Sequence, residues 1–205
     1  MIEIKTFVVG QLEENCYLIK DMETKRLAVV DPGDYSEELL KEIDSGGGKL
    51  DFVFLTHGHF DHIGFVAELC NRYHPTVCAC EDEREILSRG LYNRSSVRNI
   101  RLNSFLIDRF LKDNDVIDFG GSAVKFIHTP GHTKGSGCYI IDDNIFTGDT
   151  VFCESVGRTD LPTGCQSDMI KSIKRISSLT GEYNIYPGHY YASTLSHEKK
   201  YNPFF

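Results

Sequence analysis

No apolar run in the 205 residues approaches the roughly 20 that a membrane-spanning helix needs. The N-terminus also lacks a signal peptide's apolar block, because Ile2 and Ile4 alternate with Glu3 and Lys5 at the period of a strand. A cytoplasmic protein that does not enter a membrane is expected. Basic residues are scarce: 22 Lys and Arg stand against 30 Asp and Glu, for a formal charge of −8, and the cations are scattered. Nucleic acid is therefore not an expected partner, since a polyanion binder shows a basic stripe. The seven cysteines include no Cys-x-x-Cys pair, and they read as small, reduced, mostly buried hydrophobes. Cys78 and Cys80 flank one alanine, so on a strand they share a face as packing residues. Gly-x-Ser-x-Gly is absent, which removes the usual serine-hydrolase signature. With no repeat and no low-complexity segment, one domain over 1–205 is the simplest partition.

What is present is ordinary globular material, with 40% hydrophobic and 25% charged residues and a length that can bury a real core. Strand patterns cover 2–9, 16–20 and 27–31, and Asp31-Pro32-Gly33-Asp34 leads into a helix over 36–43 that Gly46-Gly47-Gly48 stops. Phe52–Thr56 reads as a buried strand, followed by a helix over 64–73 and a strand over 76–80. Residues 81–111 read as helical with breaks, around an irregular run at 100–107. Strands recur at 116–119, 123–128, 137–141 and 144–146, then a helix over 167–179 and a short strand at 184–186. Each half runs from a strand meander to a helix, a short strand and a loop. The fold class that follows is α/β (α+β), with two sheets face to face and helices outside, a four-layer αββα sandwich.

The densest chemistry follows the buried strand, in Thr56-His57-Gly58-His59-Phe60-Asp61-His62. Four metal-competent side chains in six residues, imidazole and carboxylate without thiolate, suit a zinc, iron or manganese site that is not purely structural. In an extended loop His57, His59 and Asp61 would share one side while His62 faces elsewhere, a splay able to serve two metals. Three more residues repeat the setting of a strand that ends in a Gly- or Pro-containing turn: His132 after Thr129-Pro130-Gly131, Asp149 after Phe146-Thr147-Gly148, and His189 after Tyr186-Pro187-Gly188. Side chains at such strand ends converge on one crevice, and a small residue before each lets the backbone turn close to a metal.

Together these segments resemble the metallo-β-lactamase superfamily, and most nearly its glyoxalase II branch, the hydroxyacylglutathione hydrolases, in a short single-domain form. Asn15–Ile19 and Val30-Asp31-Pro32-Gly33 match strands typical of that fold. The resemblance implies a first metal on His57, His59 and His132 and a second on Asp61, His62 and His189, with Asp149 bridging. Two divalent ions, zinc first and iron or manganese next, are the implied cofactors. Where the β-lactamases often place a cysteine in the second site, Asp149 and His62 stand here, so antibiotic hydrolysis is not implied. The expected enzyme is a metal-dependent hydrolase. Its metal-bridging hydroxide attacks the carbonyl of a small-molecule thioester or related ester, and Asp61 both binds metal and orients the nucleophile.

Arg158, in Ser155-Val156-Gly157-Arg158-Thr159-Asp160, is the candidate for a substrate anion, with pairing to Asp160 as the alternative. Asp160 stands where glyoxalase II carries an aromatic residue, and the helical region that completes the glutathione pocket in that branch has no counterpart before Phe205. The Gly-Arg-Thr-Asp segment is similar to that of persulfide dioxygenases, which hold one iron on residues matching His57, His132 and Asp149. A non-catalytic, metal-bearing binding module is the third reading. His74, His128 and His197 read as structural or solvated, and Asp31 as a turn former or an orienting residue beside a ligand. Residues 81–111 are either packing or a lid offering Tyr92, Arg98 or Phe105 to a substrate.

Overall fold

Alternation in the N-terminal half builds one sheet whose two faces are both apolar. Strands β1 (Ile2–Val9), β2 (Glu14–Asp21), β3 (Leu27–Val30), β4 (Leu50–Phe54), β5 (Thr76–Cys80) and β6 (Arg109–Leu111) lie side by side in chain order. The first three are antiparallel and the last three join in parallel. In the computed structural model, which describes residues 1–205, successive residues of β3 serve opposite layers. Leu27 and Val29 face α1 (Glu37–Ser45) and, beyond α2 (Phe60–Ile63), α3 (Val66–Tyr73). Ala28 and Val30 face the second sheet, as the two-residue period requires. Ser36 caps α1 by accepting the Leu39 N–H at 3.2 Å, and Gly46 follows it as the C-cap. Cys78 and Cys80 do share a face, in the core between the sheets, where burial pushes both thiols up to about 12. All seven cysteines are unbridged.

Residues 81–111 depart from the expected helical stretch. They hold a 3₁₀ turn at Glu81–Glu83, one short helix α4 (Arg84–Ser88) and a second 3₁₀ turn at Ser96–Arg98, then irregular chain up to β6. The cause is local: Asn93 turns its side-chain oxygen onto the Ser95 N–H at 3.0 Å, and Arg94 and Asn99 take positive φ of 69° and 55°. Such turns stop a helix before it propagates.

The second sheet runs in the order β14-β13-β10-β9-β8-β7. Its strands are β7 (Val116–Phe119), β8 (Ser122–His128), β9 (Gly137–Ile141) and β10 (Asn144–Gly148). After the small hairpin of β11 (Val151–Phe152) and β12 (Ser155–Val156) come β13 (Asn184–Pro187) and β14 (Ser193–Thr194). Helix α5 (Gln166–Ser177) covers its outer face with Met169, Ile173 and Ile176. The final residues form α6 (Leu195–Tyr201). Thr194 caps that helix at the His197 N–H, and Leu195 enters the same outer core. Tyr139, Phe54, Phe119, Phe126 and Phe146 fill the space between sheets, each fully buried apolar side chain contributing about 1.5–3 kcal/mol. Helix, sheet, sheet, helix is therefore the order of layers, and the sequence-based fold class holds.

Candidate metal centre

The candidate ligands gather where strands end. β4 delivers His57 and His59 on extended backbone; His59 is the residue before α2, with φ −68° and ψ 150°. Asp61 and His62 then stand on α2 itself, so the expected single extended loop is instead a strand exit followed by one helical turn. The change of period, from two residues to 3.6, gives Asp61 and His62 new directions, with the His62 ring still 4.1 Å from that of His57. His132 follows β8, Asp149 follows β10, and His189 follows β13.

The structure brings all seven together. His59 Nδ1 and His132 Nε2 are 2.9 Å apart, and donor atoms of His57, His59 and His132 lie within 4.8 Å of one another, as do those of Asp61, His62 and His189. Asp149 stands between the groups. Its Oδ2 is 3.4 Å from His132 Nε2, and its Oδ1 is 3.4 Å from His62 Nε2 and 3.8 Å from His189 Nε2. Asp61 Oδ2 is 3.5 Å from His189 Nε2.

Four of the five rings have an anchored outer nitrogen, whereas His59 turns Nδ1 toward His132 and leaves Nε2 buried without a hydrogen-bond partner. His62 Nδ1 donates to Asp31 at 3.0 Å, His132 Nδ1 to the Arg158 carbonyl at 2.8 Å, and His189 Nδ1 to the Leu12 carbonyl at 3.1 Å. Thr56 Oγ1 gives its proton to Asp31 and so accepts from His57 Nδ1 at 3.2 Å. With Nδ1 donating outward, Nε2 of each of these four rings turns inward, the atom a metal would take once it carries no proton. His57 Nε2, His62 Nε2 and Asp149 Oδ1 are likewise buried without a hydrogen-bond partner. A buried acceptor left empty is costly, so these atoms fit a bound cation.

The electrostatics divide the cluster. Burial and the neighbouring rings hold His57, His59 and His132 below the usual imidazole range. Burial lowers His62 and His189 too, but the charge of Asp149 and the hydrogen bonds to Asp31 and Asp61 outweigh it and hold both above that range. Asp61 is raised by burial and lowered more by the His189 hydrogen bond and the charge of His62, which leave its carboxyl well below the carboxylate range. Two glycines allow the approach. A Cβ on Gly188 would stand 2.4 Å from Asp149 Oδ1, and one on Gly148, whose φ is 49°, would stand 2.2 Å from Thr56 Oγ1.

Residues outside the expected set complete the frame. Asp31 is fully buried and takes hydrogen bonds from the Thr56 N–H, the Thr56 hydroxyl and His62, and its φ of 47° turns the chain after β3, so it both forms the turn and orients His62. Glu83, also buried, accepts from Gly58 N, Gly135 N and Thr133 Oγ1 at 2.8–3.0 Å. Asn15 and Tyr17 hold the His189 turn: Asn15 Nδ2 donates to the Pro187 and Tyr190 carbonyls, and the Tyr17 hydroxyl to the Pro187 carbonyl at 2.6 Å. Glu14 is 1% exposed with neither oxygen partnered, 3.8 Å from His62 Nδ1; burial pushes its carboxyl well up, which favours the neutral acid. A polar residue flanking an apolar strand was the one available signal for Asp31, Glu14 and Asn15, and for Glu83 there was none. Arg158 reaches the rim, but its guanidinium is exposed and forked onto Asp160 at 2.6 and 2.7 Å.

A model of the metallo-beta-lactamase superfamily matches residues 9–189. Among curated proteins, the hydroxyacylglutathione hydrolase GloC of Haemophilus influenzae is 31% identical over 99% of this chain and 98% of its own. Among solved structures, the BLEG-1 B3 metallo-beta-lactamase superposes with a TM-score of 0.91 at 28% identity, covering 98% of this chain and 99% of that one. TTHA1623, crystallised in a di-iron-bound form, gives 0.85 at 31% identity over 98% of this chain and 100% of that one.

Proposed function

The chain belongs to the metallo-β-lactamase superfamily and is a metal-dependent hydrolase in that general sense, and from this premise we propose a dinuclear centre that hydrolyses a small thioester, hydroxyacylglutathione-like, or a related ester. The observation that carries the reading is the set of buried, unpartnered donor atoms, His57 Nε2, His62 Nε2 and Asp149 Oδ1, facing one space. His57, His59 and His132 would hold one divalent cation, Asp61, His62 and His189 the other, and Asp149 both. Bound there, zinc, or iron or manganese, supplies a water of lowered pKa and polarises the acyl carbonyl.

The chain's own part is positioning. Asp61 stays ionised at neutral pH, so its carboxylate accepts a hydrogen bond from the attacking water and sets its direction, beside an open cavity of about 450 Å³. Asp31 and the Thr56 hydroxyl fix the rings of His62 and His57, which a bare imidazole would otherwise rotate. Phe152 and Tyr190, with ring centres 5.5 Å apart, wall the second opening, about 380 Å³, in which His132, Asp149, His189 and Arg158 appear. Arg158 serves there as a rim charge toward an anionic substrate. A mononuclear iron persulfide dioxygenase would employ His57, His132 and Asp149 and leave His62 Nε2 and Asp61 without a task, which is why the two-metal hydrolase is preferred. The BLEG-1 likeness puts a β-lactam among the substrates to try.

Metal analysis of protein purified from its own host, with assays of S-lactoylglutathione, simpler thioesters, a β-lactam and glutathione persulfide, tests this reading. Two metal ions per chain and thioester turnover are expected, and Asp61→Ala should lower that turnover at least about a hundredfold. One iron per chain with sulfite formed from the persulfide would overturn the hydrolase. Turnover unchanged in Asp61→Ala, with metal content measured alongside, would overturn a catalytic centre here.

A further inference from the structure

Ten arginines occur in the chain, and most are engaged. Arg26, Arg72, Arg89, Arg158 and Arg175 are ion-paired, Arg84 lies over the Phe110 ring, and Arg109 donates to the Val116 carbonyl. The three without a side-chain partner, Arg94, Arg98 and Arg101, are successive arginines along the chain and sit on one segment. In a protein of net charge −8, unpaired cations gathered in one place are out of keeping with the rest of the surface.

That segment is tethered beside the metal centre. The Asn93 carbonyl accepts the Phe60 N–H at 2.9 Å, at the start of α2, and beyond Arg101 the side chains of Leu102, Phe105 and Ile107 pack against the core under the first sheet. Between these anchors Arg98 and Arg101 line the cavity of about 450 Å³ into which Asp61 also opens. Arg94 is close enough for its charge to act on His59. The opposing acid in the cavity apart from Asp61 is Asp34, whose Oδ1 is occupied by the Tyr35 N–H at 2.7 Å. Arg158, by contrast, already holds a carboxylate in both arms of its fork.

We infer that Arg98 and Arg101 form the anion-binding subsite of this enzyme, receiving a carboxylate or phosphate borne by the thiol portion of an extended thioester whose acyl carbonyl lies at the metal centre. The inference rests on the thioester reading above. A guanidinium without an internal partner binds such a group with little to displace, through charge-assisted and bidentate hydrogen bonds. Neighbouring Leu102 and Ile100 offer apolar contact to the intervening chain of the substrate.

Binding and turnover separate this subsite from the hydrolase reading. Calorimetry on the metal-loaded protein would use two non-hydrolysable thioethers, S-hexylglutathione for carboxylate and an S-alkyl coenzyme A for phosphate. At least one should bind, and the double variant R98A/R101A should bind it about tenfold more weakly or worse, while R98K/R101K recovers part of the loss. The probe that binds identifies the anion's source. With hydrolysable substrates, the wild-type preference for the anionic thioester over a neutral N-acetylcysteamine thioester should shrink by a similar factor in R98A/R101A, through KM. Equal affinity in wild type and R98A/R101A, or no binding of either probe by the wild type, would overturn the subsite. Wild-type binding of a probe without turnover of any thioester would leave the subsite standing and overturn the hydrolase.

Discussion

The two halves of the donor cluster are built differently. His57, His59 and His132 are almost completely buried, neutral rings held from the β8 side. Glu83 gathers Gly58, Thr133 and Gly135 around them, and the Arg158 carbonyl fixes His132. Asp61, His62 and His189 are a charged group, with Asp61 open to the cavity, braced by Asp31 and by the start of β2 through Asn15 and Tyr17. Neutral buried rings offer lone pairs without first losing protons, whereas the second half keeps its charge balance through its own carboxylates. One half is built to hold, and the other both holds and meets the solvent from which water and substrate come.

Asp149 is the one side chain shared by both, so removing its charge gives the largest effect. Asp149→Asn keeps the shape but takes away the anion that faces His132 through Oδ2 and His62 and His189 through Oδ1. Thioester turnover should fall about a thousandfold or more, with metal content reduced in both halves. If a variant with full metal content keeps more than a tenth of wild-type turnover, the halves do not depend on a common bridge.

The legibility of these halves differed as much as their construction. His57, His59, Asp61 and His62 could be picked out because ligand types crowd after a buried strand, and His132, Asp149 and His189 because each follows a strand and a small residue. The strand period likewise put Cys78 and Cys80 on one face, although not which layer that face meets. What stayed hidden was support from residues distant in sequence. Glu83 lies 25 residues from Gly58 and 52 from Gly135, in a stretch without readable period. Asn15 reaches Pro187 across 172 positions. A turn such as that at Asn93–Ser95 depends on one side-chain hydrogen bond, which no periodicity records.

Glu83 gives an intermediate effect confined to the first half. Its carboxyl is raised from 4.5 to about 7, burial outweighing the hydrogen bonds from Gly58, Thr133 and Gly135. A folded-state value above the unfolded one means the native state binds the proton more tightly. The stability it contributes is complete below about pH 4.5 and is lost as pH rises through about 7, on the order of 3 kcal/mol in all. Glu83→Gln turns amide hydrogens onto backbone donors and should destabilise the chain by about 1–3 kcal/mol at pH 5. Because glutamine does not titrate, the gap between variant and wild type should narrow by pH 8 in urea unfolding. A gap independent of pH would mean that Glu83 is ionised throughout and braces the first half as an anion.

The smallest effect belongs to Arg158, whose backbone and side chain do separate things. Its carbonyl anchors His132 Nδ1 at 2.8 Å, and a substitution leaves that in place. Its guanidinium is exposed and occupied by Asp160, an exposed pair of the kind that adds little to stability. Arg158→Ala should therefore leave stability nearly unchanged and lower kcat/KM for an anionic thioester by no more than about threefold, as for a rim charge in water. Raising the salt concentration should erase most of even that difference. A tenfold or larger loss that persists at high salt would show that substrate displaces Asp160 and takes the Arg158 fork for itself, moving the principal anion contact from the cavity beside Asp61 to the opening beside His132.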